Sequence, residues 1–180
     1  MEEIRVDDEI ELRLHDEGRA EALFRLTDEN RDRLRPWLPW VDETTSVEDT
    51  GRFIREMLRK RADGAEYGFE ILHRGDLVGA IGLRVIVQIA EAEIGYWLSA
   101  EAEGQGIVTR STRALLRFAF EDLGMHRVII KCAQGNARSR AVPERLGFTL
   151  EATFRERDVS PTRGRQDELV FGLLRSEWNG

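Results

Sequence analysis

Apolar and polar positions alternate along the first half of the chain in a way that predicts short strands and two amphipathic helices. Residues 10–14 alternate between apolar and charged side chains, as in a half-buried strand. Apolar residues then recur at helical spacing after Asp16 and again after Ser46, and both of these polar side chains can cap a helix. Two apolar runs on either side of the turn at 73–76 predict a hairpin.

The second half of the chain predicts a strand, a long helix and a buried strand. A strand over 91–99 runs into a glycine-rich turn, and an amphipathic pattern predicts a helix from about 107 to 123. Residues 128–130 are all apolar, as in a central strand that is buried on both faces. Strands and helices therefore alternate in this half.

The last part of the chain completes the predicted sheet. Asn136 begins a short predicted helix, and two strands are expected over 148–159 and 169–174, with a polar loop between them. No repeat or linker interrupts the pattern. The sequence thus predicts one α+β domain over residues 1–180, with a mixed sheet.

The turn after the strand at 91–99 has the composition of a phosphate-binding loop. Its glycines let the backbone approach a ligand closely, and the helix behind it leaves its first N–H groups unpaired at the positive end of the helix dipole. The residues expected to face a phosphate group are Gly104, Gln105, Gly106, Ile107, Val108 and Thr109. Taken alone, the turn can equally be a tight turn without a ligand. Neither a dinucleotide fingerprint nor a P-loop is predicted, because the third glycine and the Gly-Lys-Ser/Thr sequence are missing.

Composition and charge narrow the function classes. The 180 residues are 41% hydrophobic and 34% charged, as in a globular domain, and the formal net charge of −7 argues against general nucleic-acid binding. The single cysteine excludes an internal disulfide, and the scattered histidines lack metal-ligand spacing, so no metal is expected. The acidic first residues and the lack of a membrane-length apolar stretch lead us to expect a cytoplasmic protein with no membrane partner.

Several motifs in this order resemble those of one enzyme superfamily. The residues that carry the resemblance, beside the glycine turn, are Arg35-Pro36-Trp37-Leu38-Pro39-Trp40, Gly95-Tyr96-Trp97, Asn136 with Ser139, and Leu146-Gly147-Phe148-Thr149-Leu150-Glu151. With them the chain resembles the GNAT acetyltransferases, and within that superfamily the ribosomal-protein N-acetyltransferases of the RimJ/RimL type. The resemblance spans nearly the whole chain.

The resemblance implies both a fold and a reaction. The GNAT fold has a mixed, mostly antiparallel central sheet with helices on both faces and a splay between its two central strands. The implied reaction uses acetyl-CoA as cosubstrate and transfers the acetyl group by direct attack of a primary amine in a ternary complex. The acceptor that the resemblance favours is a protein N-terminus such as that of a ribosomal protein, and it suggests a homodimer.

The resemblance also implies where the donor lies. Tyr96, Trp97 and Leu98 would pair through their main chain with the pantetheine amides, as an added strand does. Asn136 would lie near the pantetheine arm, and the turn at 104–109 would hold the diphosphate.

Two residues in this region depart from the family pattern. Glu103 replaces a Gln or Arg, and Val108 replaces a Gly or Ala. Glu103 would bring a negative charge close to the phosphates, and Arg110 and Arg113 are the side chains expected to offset it.

The chemistry requires a base for the acceptor amine and stabilisation of the departing thiolate. Two carboxylates are candidates for the base: Glu93 on the strand before the turn, and Asp158, which stands where the Rim-type family usually has Glu. Ser139 is the candidate acid, since Pro143 occupies the position of the tyrosine that is common in the superfamily. Each of these residues could also have a purely structural role. Cys132 is interpreted as a small core residue rather than a nucleophile.

Trp37 and Trp40 allow two interpretations, a wall of the acceptor groove or a cover over the core. Two other functions also stay open. One is an acetyltransferase for a small amine such as a polyamine or an antibiotic, and the other is a non-catalytic CoA-binding regulatory module.

Overall fold

One eight-stranded sheet forms the centre of the computed structural model, which describes residues 3–180. The strands are β1 (Glu3–Arg5), β2 (Ile10–Leu14), β3 (Glu66–His73), β4 (Asp76–Ile86), β5 (Glu91–Leu98), β6 (Arg127–Ala133), β7 (Thr149–Ser160) and β8 (Gly164–Leu174). Their order across the sheet is β1-β2-β3-β4-β5-β6-β8-β7. β7 therefore lies at an edge, paired on one side only.

The α-helices of the described residues are α1 (Ala20–Glu29), α2 (Arg31–Leu34), α3 (Val47–Ala62), α4 (Ile107–Arg117) and α5 (Ala137–Arg145). Two of the predicted caps are confirmed. Ser46 Oγ accepts a hydrogen bond from the Asp49 N–H at 3.2 Å and starts α3, and Asn136 Oδ1 accepts from the Ser139 N–H at 3.2 Å and starts α5. Asp16 instead caps a 3₁₀ turn that leads into α1. None of these helices is both long and apolar enough to cross a membrane.

Strands β5 and β6 diverge at the centre of the sheet. They are its parallel pair, and the other neighbouring strands are antiparallel. Their pairing covers only residues 91–94 of β5 and 127–130 of β6, although β5 continues to Leu98 and β6 to Ala133. This divergence is the expected splay, and the expected α+β fold, a mixed and mostly antiparallel sheet with helices on both faces, is confirmed.

The two faces of the sheet have different cover. On the α4 face, Ile94 and Leu98 of β5 belong to the main core together with Leu115 and Leu116 of α4. On the α3 face, helices α1 and α3 form a smaller core against which Trp97 packs. Because side chains alternate along a strand, consecutive residues of β5 point to opposite faces of the sheet.

Three features differ from the sequence prediction. β1 was not predicted, since three residues are too short for a periodic signal. β8 begins at Gly164 and not at 169, because its first residues are polar and pair with the exposed end of β7. The predicted helix over 107–123 is α-helical only to Arg117 and ends in a π-helical turn at Phe118–Asp122.

Candidate active site

A cleft of about 960 Å³ opens where β5 and β6 diverge. The glycine turn and the first residues of α4 line one end of it, Asn136 and Ser139 line its side, and Trp37 and Asp158 line the other end. Residues predicted from separate motifs therefore face one continuous space, which has the size of a ligand site.

Main-chain groups of β5 face into this splay. The N–H of Ser99 donates to Val78 O on β4 at 2.7 Å, whereas the carbonyl of Ala90 accepts bonds from the β6 side. Because the peptide groups of a strand alternate, those of Tyr96 and Leu98 point toward β6, where no strand pairs with them. The N–H and carbonyl of Tyr96 and the N–H of Leu98 can therefore pair with an extended amide ligand, whereas the Leu98 carbonyl accepts from Arg33 and the main chain of Trp97 faces β4.

The glycine turn is open and its helix is uncapped. Gly104 and Gly106 have φ angles of +75° and +71°, which other residues adopt only with strain, and an added Cβ at either position would meet nothing within 4 Å. Within the described residues, no side chain caps α4, so the N–H groups of its first turn remain free. Ile107 itself is buried in the core, so it can offer a ligand only its backbone. The turn fits a diphosphate.

The charge of Glu103 is balanced by residues that the sequence did not indicate. Arg33 of α2 forms an ion pair with one carboxylate oxygen, and Arg138 Nη1 lies 2.8 Å from the other. Arg110, one of the expected partners, instead contacts Asp7 at 2.7 Å. A guanidinium on each side of Glu103 therefore reduces the repulsion that its charge would exert on a phosphate.

Ser139 contacts Tyr96 across the α4 face of the splay. The Tyr96 hydroxyl donates to the Ser139 carbonyl at 2.9 Å, and Ser139 Oγ donates to the Tyr96 hydroxyl at 3.4 Å. Burial raises the pKa of Tyr96, so its hydroxyl stays protonated. Cys132 is a close neighbour, and burial raises the pKa of its thiol to about 11, which fits a core residue better than a nucleophile.

Asp158, Glu93 and Trp97 all lie on the opposite, α3 face. Trp97 packs against the α1–α3 core, and Glu93 is an even number of positions away on the same strand. Asp158 is paired with Gln166 of β8, and the side chain of Gln166 lies on the same face of the sheet as that of Lys131. Lys131 in turn donates a hydrogen bond to Glu93, so Asp158 and Glu93 share this face. Ser139 and Asp158 line the cleft from opposite faces, whereas Glu93 lies where β5 and β6 are still paired and is not among the residues that line the cleft.

The two candidate bases have opposite electrostatic environments. Burial raises the pKa of Asp158, and the carboxylate lines the cleft. Burial would also raise the pKa of Glu93, but hydrogen bonds from Lys131 Nζ at 2.9 Å and Arg84 Nη2 at 2.5 Å outweigh it and lower the pKa. A carboxylate held by two cations is a weak proton acceptor, which favours Asp158 as base.

Of the two predicted acceptor tryptophans, Trp37 forms part of the cleft wall, and Trp40 lies behind it against Trp97. Trp37 lines the cleft directly, and the Trp40 ring lies 6.4 Å from the Trp97 ring, between centroids. The geometry therefore favours the groove-wall interpretation for Trp37, while Trp40 is 38% exposed and is not among the residues that line the cleft. The Arg163 guanidinium stacks on the Trp37 ring from the β7–β8 turn, 4.2 Å from its centroid.

Sequence reasoning missed several residues that face the cleft. Arg33 lines it and donates a hydrogen bond to the splay-facing carbonyl of Leu98. Lys131 and Glu168 line it on the side of Asp158. No local motif contains these residues, and only the sheet and helix packing brings them together.

Comparison with known proteins places the chain among acetyltransferases. A family model described as an acetyltransferase (GNAT) domain matches residues 9–149. YdaF of Bacillus subtilis, which has a provisional name as a ribosomal N-acetyltransferase, is 41% identical over 98% of this chain and 97% of its own. The ribosomal-protein-serine acetyltransferase of Escherichia coli is 31% identical over 86% and 87%.

A solved structure matches the whole fold. It is RimL, a ribosomal L7/L12 alpha-N-protein acetyltransferase, in complex with coenzyme A that is joined to a cysteine by a disulfide. The TM-score is 0.94 at 28% identity, and the match covers 98% of this chain and 100% of the other.

Proposed function

The chain belongs to the GNAT acetyltransferase family, and from this membership we propose that it transfers the acetyl group of acetyl-CoA to the N-terminal amine of a protein. It is an N-acetyltransferase by family, and its relatives act on or are named for ribosomal proteins. A ribosomal protein is therefore the acceptor we favour, which agrees with the cytoplasmic location expected from the sequence.

Main-chain groups would hold the donor, which supplies an acetyl group activated as a thioester. The amides at the start of α4 would bind the diphosphate, and the glycines at 104 and 106 give it close access. Tyr96 and Leu98 would pair with the pantetheine through the peptide groups that face the splay. The Nδ2 of Asn136 can donate toward this arm, since its Oδ1 is engaged in capping α5.

Asp158 is our proposed general base. The acceptor arrives as an ammonium and must lose a proton before its nitrogen forms a bond with the thioester carbon. Asp158 is one methylene shorter than the Glu of Rim-type relatives, so we assign the transfer to one bridging water. The ion-paired Glu93 would hold Lys131 and Arg84 in place rather than accept the proton.

Ser139 is our proposed acid for the departing sulfur. As the carbon–sulfur bond breaks, the Ser139 hydroxyl would turn from the Tyr96 oxygen, to which it donates at 3.4 Å in this structure, and donate its hydrogen bond to the thiolate instead. The two groups enter from the α4 face, opposite to Asp158. Amine and leaving group are thus served by different sides of the sheet.

One observation carries the proposal: the open, uncapped start of α4 and the Asp158 carboxylate line the same cleft. The first test is calorimetric titration with coenzyme A, in the presence of a phosphine reductant that keeps Cys132 from forming a mixed disulfide. We expect binding. An absence of binding heat, with the fold verified by circular dichroism, would contradict the donor site.

The second test identifies the acceptor. Acetyl-CoA is supplied with N-terminal peptides of ribosomal proteins, with polyamines and with amine antibiotics, and mass spectrometry measures the products. We expect acetylated peptide N-termini. Turnover on small amines alone would favour the small-molecule function, and donor binding without any product would favour a regulatory module.

A homodimer is the assembly we propose. The edge strand β7 supports it, because it exposes Leu150, Phe154 and Val159 beside an unpaired ladder. Analytical ultracentrifugation tests it, and a monomer at micromolar concentration would contradict it.

A further inference from the structure

A cation beside the Trp37 wall of the cleft, Arg163, has no anionic partner in the described part of the chain. Arg163 forms no ion pair with any of residues 3–180, although most arginines of this acidic protein do. Its nearest aromatic contact is Trp37, which belongs to the proposed acceptor wall.

The position of Arg163 is fixed by its turn. Ser160 Oγ accepts hydrogen bonds from the N–H groups of Thr162 at 3.3 Å and Arg163 at 3.1 Å, which orders the β7–β8 connection. The guanidinium packs on the Trp37 ring, and its Nη1 lies 3.9 Å from where a Cβ on Gly135 would be. Arg163 therefore bridges the rim of the cleft between the tryptophan wall and the turn before α5.

A stacked guanidinium is prepared to bind a carboxylate. Stacking holds the plane of the group and leaves its edge N–H donors directed outward, so that little further side-chain entropy is lost on binding. Carboxylates match these donors with two parallel hydrogen bonds, which neutral amides cannot do with equal strength.

The register of the hairpin sets which acceptor residue meets this arginine. Asp158 is two strand positions before Ser160, about 7 Å at the usual rise, and Arg163 lies beyond the turn. An extended acceptor rises about 3.3 Å per residue. Its second to fourth residues would thus reach the rim when its amine is next to Asp158.

We infer that Arg163 is a specificity-determining residue that selects protein N-termini with an acidic side chain at the second, third or fourth position. This inference rests on the proposed function, since it assumes an N-terminal peptide in the cleft. It concerns which peptides are preferred and not whether peptides are acetylated.

The test uses matched hexapeptides that carry Asp, Asn or Lys at position 2, 3 or 4. For the wild-type protein we expect kcat/KM to be about five- to tenfold higher for Asp than for Asn at one of these positions. High salt should reduce the ratio, because the contact is at the rim. Arg163→Gln should bring the ratio close to one, and Arg163→Glu should favour the Lys peptide.

Arg165→Gln is the matched control. Arg165 is an exposed arginine on the same hairpin. It is paired with Val159, one position from Asp158, so its side chain points to the other face of the sheet. There it donates a hydrogen bond to Glu156 O at 3.1 Å. This variant should keep the wild-type ratio. Circular dichroism and coenzyme A affinity verify that all three variants are folded.

The outcomes separate the two proposals. Equal turnover of Asp and Asn peptides by the wild type, or an unchanged ratio in Arg163→Gln, would overturn the inference while leaving acetylation of N-termini intact. If Arg165→Gln also lost the preference for Asp over Asn peptides, the inference would be overturned. The preference would then come from the overall positive charge of the hairpin and not from Arg163. No turnover of any peptide would overturn the proposed function itself.

Discussion

The two ends of the cleft are built from different parts of the polypeptide. At the end formed by the 104–109 turn and β5, the groups offered to a ligand are backbone amides and carbonyls. At the other end, they are side chains such as Trp37 and Asp158, which come from distant segments, with Arg163 stacked on Trp37 at the rim.

This difference separates what is general from what is specific. Backbone groups depend only on local conformation, so many sequences with the right glycines can build the same donor site. Side chains can be exchanged one at a time without changing the strand that carries them. We therefore expect substitutions at the donor end to change cofactor affinity, and substitutions at the acceptor end to change turnover and selectivity.

The largest expected effect is at Asp158. Asp158→Asn should reduce kcat by about 10² to 10³, which is the usual contribution of a positioned general base, and leave coenzyme A affinity unchanged. Steady-state kinetics and calorimetry measure the two effects. Asp158→Glu should retain activity within about tenfold, because Glu keeps the carboxylate and takes the place of part of the bridging-water distance, and Glu93→Gln should lose less than Asp158→Asn. The opposite order would make Glu93 the base.

The pH dependence of kcat distinguishes the same two carboxylates. A base acts only when it is deprotonated, so kcat falls as the pH drops through its pKa. Burial raises the pKa of Asp158, which places this acid limb above the ordinary value for Asp. If Glu93 were the base, the acid limb would lie below the ordinary pKa of Glu, because Lys131 and Arg84 lower the pKa of Glu93. A profile at saturating substrates decides between them.

Ser139→Ala should have the next largest effect. Loss of the hydroxyl near the departing sulfur should lower kcat by about ten- to a hundredfold with little change in donor affinity. The alternative is that Ser139 only stabilises the start of α5. Asn136→Ala is the reference for such a structural loss, because it removes the cap of α5 and should cost about 1 kcal/mol of stability. If Ser139→Ala lowers the melting temperature and leaves kcat intact, its role is structural.

At the donor end, Gly106→Ala should weaken coenzyme A binding about tenfold. The residue has φ +71°, and a Cβ in this left-handed region costs about 1–2 kcal/mol, so the turn would shift away from its binding form. Gly75→Ala is the control, since Gly75 also has a positive φ, +90°, but lies in the β3–β4 hairpin away from the cleft. Similar weakening in both variants would point to a general loss of stability.

Arg33→Ala tests whether the two ends are independent. Arg33 extends from α2, which precedes the tryptophan wall, to Glu103 and to the Leu98 carbonyl beside the donor site. The variant should raise both the coenzyme A Kd and the acceptor KM about fivefold, a modest change because the ion pair is partly exposed. Arg35→Ala, which loses only a pair with Asp42, should change neither. A change in one constant alone would show that Arg33 serves only one end.

The sequence predicted most of the secondary structure because most elements have a strong local signal. The caps at Ser46 and Asn136 and the apolar strand at 128–130 are all found. β8 was predicted too short, because its polar first half pairs with an exposed edge where hydrophobic periodicity is lost. The resemblance, rather than the periodicity, supplied the splay and the positions of the candidate site residues.

By itself, the chain determined its fold, its family and the conformation of the glycine turn, because hydrophobic period, capping residues and glycines act over a few neighbouring positions. The tertiary structure decided which charges meet. Glu103 is balanced by Arg33 and Arg138, Arg110 turns away to Asp7, and Glu93 is held by two cations while Asp158 is not. Most of these partners are 35 to 103 residues apart, and Arg84 and Glu93, which are nine apart, lie on different strands. Electrostatic contacts depend on distance in space, which no local pattern records.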